Sequence, residues 1–223
     1  MTNKKSIQAV VCNAKSKTNN QLEIAIALHN YVRDNVLFGF TPYFDVAEPS
    51  ETLNLGLGHC NPQAKLMVAL FREANIPARF RPATINNEVL RGAVRTPNKL
   101  SHVFTEVFLN EKWLRLDSYI VDPRLRRHVV ERLKQDDKLL GYGTHVTATG
   151  EWDGQSDAYS QVATPDMILE LHEPVETIEE FYQSSNYLHR TLNIPFNTLM
   201  APARLYKTTF SKLMNYRIER LRN

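Results

Sequence analysis

The stretch Gly56-Leu57-Gly58-His59-Cys60-Asn61-Pro62 constrains this chain more than any other. Two glycines permit a tight turn and close approach of another molecule to the backbone. Pro62 falls where the first turn of a helix has no use for an N–H donor. Ala64, Met67, Phe71 and Ala74 then recur at helical spacing, which predicts a helix over residues 61–75 with one apolar stripe. Asn75-Ile76-Pro77 stops it, because a residue before proline is driven out of the helical region. A cysteine therefore stands at the start of a helix that must bury one side. The helix dipole and the unpaired N–H groups there favour thiolate, the nucleophilic form of the residue. The competing role for Cys60 is that of a small apolar residue filling a gap in the core.

The rest of the chain reads as α+β. Residues 1–20 are a polar lead-in. Asn20 and Glu23 have capping-box spacing before Leu22, Ile26, His29, Val32 and Val36, which predicts an amphipathic helix over residues 21–37. Gly39, Pro42 and Glu48-Pro49-Ser50 mark a loop. Strand patterns follow at Ala78–Pro82, Val89–Thr96, His102–Leu109 and Lys112–Asp117. These elements define a core over residues 21–140. Half of the eight glycines fall in residues 141–160, so a loop follows. Thr177 with Glu180, and later Pro202, open helices. Residues 141–223 are thus expected to form a loop and helical C-terminal extension packed on the core.

A nucleophilic cysteine needs a base, and the base needs a group to orient it. The last two strands supply both. A two-residue tip at Asn110-Glu111 places Leu109 opposite Lys112, Glu106 opposite Arg115 and Phe104 opposite Asp117. His102, Phe104, Glu106, Phe108, Trp113, Arg115 and Asp117 then share one face, since strand side chains alternate. His102 and Asp117 become diagonal neighbours with Cα atoms about 7–8 Å apart, a gap that one hydrogen bond closes. A three-residue tip would turn Asp117 to the wrong face. The helix stripe is expected to lie against Phe104, Phe108 and Trp113, with Val103, Val107, Leu114 and Leu116 facing another layer.

The segment Gly58-x-Cys60, Ala64, the apolar helix and Asn75-Ile76-Pro77-Ala78-Arg79 resembles the nucleophile helix of the transglutaminase-like superfamily, a branch of the papain-like fold. Ser101-His102-Val103-Phe104-Thr105-Glu106-Val107 resembles that family's histidine block. Trp113 to Asp117 matches its Trp-x-x-x-Asp. The likeness covers roughly residues 21–122. Phe104 stands where many members carry Trp, and Ser118 where many carry Pro. The resemblance implies a catalytic triad of Cys60, His102 and Asp117. It further implies cysteine-dependent acyl transfer at amide bonds through a thioester. Hydrolysis of the thioester makes an amidase, peptidase or deamidase. Capture by an amine makes a protein-glutamine transglutaminase. A catalytically silent binding module of the same fold is the third reading. The family's second oxyanion donor lies upstream of the cysteine, where Asn54 or another residue of the 40–55 loop would serve. Trp152, in the glycine-rich loop, either caps a substrate groove or anchors that loop.

Composition narrows the partners. Lys plus Arg number 27 against 24 Asp plus Glu, a net charge of +3, too small to argue for nucleic acid. The basic stretches Pro123–His128 and Arg217–Arg222 read as an anionic surface contact or as solvated helix faces. Two cysteines make no disulfide framework, and the opening residues are too short in apolar content for a secretory signal. Apolar runs are too short for a membrane helix. A cytoplasmic protein is expected, acting on a peptide, protein or small amide, with no nucleic-acid or membrane partner. No metal or other cofactor is expected: the seven histidines lack ligand spacing, and no P-loop, HExxH or EF-hand pattern occurs. His59 is a possible tuner of its neighbour Cys60, although adjacent side chains point apart.

Overall fold

The computed structural model describes residues 5–93, 97–162, 167–191, 194–195 and 204–223. The residues expected to form a loose lead-in instead contain helix α1 (Ile7–Lys15). Ser6 caps it by accepting from Ala9 N at 3.1 Å, and Val10, Val11 and Ala14 are buried against the helices that follow. Helix α2 (Gln21–Asn35) starts where Asn20 Oδ1 accepts from the N–H groups of Leu22 and Glu23. Its buried face is Ile24, Ala25, Leu28, His29 and Val32, with Leu22 and Ile26 only half-buried, so the stripe is turned relative to the expected one. The 39–50 loop ends sooner than expected. A Glu48/Glu51 capping box with Pro49 in the first turn starts α3 (Pro49–Leu55), and Gly56 closes it at φ +60°.

Two short parallel strands, β1 (Leu37–Phe38) and β2 (Leu57–Gly58), lead into α4 (Cys60–Glu73). Asn75 at φ +63° ends the helix, and Ile76 N returns to Phe71 O at 2.9 Å. The main sheet has the order β5-β4-β3-β8 and is antiparallel throughout. Its strands are β3 (Ala78–Asn86), β4 (Lys99–Leu109) and β5 (Lys112–Leu116), with β8 (Ile168–Leu171) joining later in the chain. The β4–β5 register pairs Leu109 with Lys112 and Glu106 with Arg115. Asn110 and Glu111 both have positive φ, 48° and 64°, the signature of a type I′ turn whose twist suits a two-residue hairpin. The expected strand at 89–96 is absent from its described part. Residues Asn87–Leu90 form a 3₁₀ turn instead, and Thr96 lies outside the described residues.

The sheet faces are exchanged relative to expectation. Ala64, Met67 and Phe71 of α4 share one cluster with Val103, Val107, Leu114 and Leu116. Phe108 and Trp113 lie on the other side, 36% and 38% exposed. Arg79 stacks over Trp113 at 3.9 Å. Glu106, 3% exposed, holds Arg79 and Arg81 at 2.8 Å and Arg115 at 3.3 Å. Burial pushes its carboxyl up, and the guanidiniums of Arg81 and Arg79 outweigh that and hold it below its usual range. The helix rejects that face because packing on it would strip water from this charge cluster.

Beyond the hairpin, Asp122 caps α5 (Pro123–Gln135) by accepting from Leu125 N at 3.0 Å. A small hairpin of β6 (Leu140–Gly141) and β7 (Thr144–His145) opens the expected loop. Helix α6 (Ile178–Gln183) carries the Thr177/Glu180 capping box, and α7 (Arg204–Glu219) follows. Pro202, expected to open this last helix, lies outside the described residues. Among the described residues beyond 145, α6 and α7 are helices and β8 joins the main sheet. No helix among the described residues is long and apolar enough to cross a membrane.

Candidate active site

Strand β5 ends at Leu116, opposite Thr105, so the first part of β4 extends past it. The N-terminus of α4 and the chain leaving β5 both come to this place. His102 Nε2 lies 3.1 Å from Asp117 Oδ2, with His102 1% exposed and Asp117 fully buried. Since the carboxylate accepts, Nε2 carries a hydrogen, which leaves Nδ1 as the nitrogen for proton transfer. Asp117 is itself held by the extension. Its Oδ1 accepts from Ser160 N and from Gln161 N, the latter at 3.3 Å, and Ser160 Oγ donates to Asp117 O at 2.8 Å.

Cys60 occupies the first helical position of α4, where a backbone N–H has no acceptor within the helix. Gln63 fixes this turn by donating to Gly58 O at 2.7 Å and Ile120 O at 2.9 Å. Cys60 and His102 line the same cavity, of about 90 Å³ and partly open to solvent. The thiol is half-buried. Burial pushes it well up, as does the charge of Asp45. The backbone hydrogen bond of Asn61 opposes this, Asp117 adds to it, and the backbone of Val103 opposes it again. Burial therefore favours the thiol form at Cys60, where the helix position alone suggested thiolate.

A second polar cluster, without a sequence signal, faces the first. Asp45 is fully buried beside His59, whose Nε2 lies 2.6 Å from Oδ1. Asn61 Nδ2 donates to the same oxygen at 3.0 Å, and Tyr187 OH donates to Oδ2. His189 Nδ1 stands 3.6 Å from Oδ2. Burial pushes the Asp45 carboxyl up, but His189 and His59 outweigh it and leave it below the ordinary carboxylate range. His59 and His189 line the cavity, as does Gln161, whose Nε2 donates to Gly143 O at 3.2 Å.

Two expected residues are not there. Asn54 sits on α3 and donates to Ser50 O at 2.7 Å and Lys5 O at 3.2 Å, in a separate surface cleft beside α1. It cannot be an oxyanion donor for Cys60. Trp152 is 5% exposed and donates from Nε1 to Ser156 O at 2.8 Å, so it anchors its own loop and does not line the cavity. Among the described residues no cluster of three or more His, Cys, Asp or Glu is placed to hold a metal ion.

Ser118, in place of the family's proline, has a partner in His29. With Nδ1 of His29 donating to Asn30 Oδ1 at 3.0 Å, Nε2 accepts from Ser118 Oγ at 2.7 Å. The ring also packs on Trp152 and Tyr119. Burial holds His29 down at about 4. Unfolded, it takes a proton near 6.5, so between those values the unfolded chain binds more protons. Stability should fall as pH drops from about 6.5 to about 4, by about 3 kcal/mol from this residue at about 1.4 kcal/mol per unit. Urea unfolding at pH 7, 5.5 and 4.5 measures it. His29→Gln should flatten the slope, and equal slopes in variant and wild type would contradict the assignment.

Residues 8–118 carry the sequence profile of the transglutaminase-like superfamily. Two solved structures resemble it in part. One, a "Putative Cysteine Protease" from Cytophaga hutchinsonii, has a TM-score of 0.42 at 20% identity, over 52% of this chain and 38% of its own. The other, a "putative protease" from Parabacteroides distasonis, has a TM-score of 0.39 at 16% identity, over 50% and 22% respectively. The chain thus spans well under half the length of either. No curated protein matches it.

Proposed function

We propose that this protein is a cysteine-dependent enzyme that hydrolyses amides, or chemically related acyl compounds, through a thioester at Cys60. The observation that carries the reading is that Cys60, at a helix start, lines one cavity with an imidazole already oriented by Asp117. In the proposed reaction the Cys60 sulfur attacks the carbonyl carbon while His102 takes the thiol proton. The backbone N–H of Cys60 donates to the developing oxyanion. His102 then gives its proton to the leaving amine as the C–N bond breaks. Water, deprotonated by His102, attacks the thioester, and the acid and the thiol are regenerated. A cavity of only about 90 Å³ favours water over a bulky amine as acceptor.

Incubation with p-nitrophenyl acetate, followed by mass spectrometry of the protein's peptides, tests this. Cys12 is exposed and provides an unassisted thiol in the same chain. An acetyl group should appear on Cys60 first and disappear after the ester is removed. Acetylation of Cys12 alone would overturn the enzymatic reading and leave a binding module. Persistence of the Cys60 adduct until an amine is added would instead identify amine transfer.

A further inference from the structure

Resting on the reading of Cys60 as nucleophile, the identity of its cavity walls carries a statement about the substrate. One wall is aromatic, from Phe38, Phe40 and Phe44, with Phe40 and Phe44 stacked at 6.0 Å. The other is aliphatic, including Val89, Leu90 and Leu100 from the 3₁₀ turn and the start of β4. No lysine or arginine lines it among the described residues. Most of the polar groups at its wall are engaged elsewhere, although Nδ1 of His59 has no hydrogen-bond partner among the described residues. Asp45 engages His59 and lies at ion-pair distance from His189, Ser101 Oγ accepts from Leu188 N at 2.8 Å, and Gln161 donates to Gly143. The cavity therefore offers mostly apolar area and, among the described residues, no lysine or arginine.

We propose that this cavity is the acyl subsite, and that it takes an uncharged apolar acyl group, aromatic or medium-chain aliphatic, bonded to the carbonyl that Cys60 attacks. A carboxylate on the acyl chain would lose its hydration there without gaining a lysine or arginine as counter-charge. Each methylene moved from water into such a site gains about 0.8 kcal/mol, a factor of about four in rate when the contact is made in the transition state. Four added methylenes, even partly buried, should therefore give at least about a tenfold preference.

The experiment compares p-nitrophenyl acetate, hexanoate, 3-phenylpropanoate and hemisuccinate. The acylation rate of Cys60 for each is divided by that of Cys12 in the same sample, which removes the ester's own reactivity. Hexanoyl and phenylpropanoyl groups should exceed acetyl by at least tenfold, and hemisuccinyl should fall below acetyl. Leu90 is half-buried on the cavity wall. Leu90→Phe should cut the hexanoyl-to-acetyl ratio at least threefold. If that variant does not fold, the wild-type series decides alone. Equal normalised rates for all four esters would overturn the apolar subsite and leave the role of Cys60 intact. No acylation of Cys60 by any of them would overturn both.

Discussion

Replacing His102 with alanine should slow acetylation of Cys60 by p-nitrophenyl acetate by about 10²–10⁴-fold, the range for loss of a positioned general base. The size follows from the state of the thiol. In an exposed cysteine a useful fraction is thiolate at mild alkaline pH, and loss of a nearby base matters little. Here burial, together with Asp45 and Asp117, keeps the sulfur protonated. Attack then requires a base that removes the proton as the bond forms, and His102 is the imidazole oriented for it by Asp117. Asp117→Asn should cost less than His102→Ala, because the ring stays in place while its tautomer and charge lose support. Mass spectrometry of the protein's peptides gives the rates, with Cys12 as the reference. An unchanged Cys60-to-Cys12 ratio in His102→Ala would remove His102 from the chemistry. A ratio that falls while the thermal midpoint holds would tie the loss to the base and not to folding.

What the sequence made legible here was local. The α4 segment announces itself through Pro62, one apolar stripe and the Asn75-Ile76-Pro77 stop, all within one helix length. The hairpin register follows from two residues at its tip, and it alone puts His102 and Asp117 side by side. What failed was the side of the sheet that the helix covers. Phe104, Phe108 and Trp113 are the larger residues, so bulk pointed to them. The deciding term was the buried charge of Glu106 among three arginines on the same face. The Asp45 cluster was illegible for another reason. Its members, at 45, 59, 61, 187 and 189, come from a loop, a helix start and the distant extension, and no spacing rule connects them. Helix α1 escaped because only Val10, Val11 and Ala14 of its nine residues are buried, and packing on α4 supplies most of what holds it.

The extension does more than cover the core, and the largest stability effect should come from it. Arg222 and Asp122 are each no more than 3% exposed. Arg222 Nη2 lies 2.8 Å from Asp122 Oδ2, and the same nitrogen donates to Phe38 O. Asp122 Oδ2 in turn accepts from Phe38 N at 3.1 Å. Two residues on, Asn215 of α7 receives Phe40 N at 2.8 Å and donates to Phe40 O at 2.9 Å. The aromatic wall of the cavity is thus clamped at both peptides by side chains from the far end of the sequence. Arg222→Ala would leave the Asp122 carboxylate buried without its counter-charge, a change that costs about 3 kcal/mol or more. For a chain of this size that lowers the thermal midpoint by about 6–12 °C. Arg222→Lys should recover only part, since one ammonium cannot serve both the carboxylate and the Phe38 carbonyl as a planar guanidinium does. Adding Asp122→Asn to Arg222→Ala should restore some of the loss, because the residual defect is an unpaired charge more than a missing contact. Thermal unfolding of the four proteins decides it. A midpoint in Arg222→Ala within a degree or two of wild type would mean that water reaches Asp122, and that the clamp on Phe38 is held by Asn215 and the strand pairing alone.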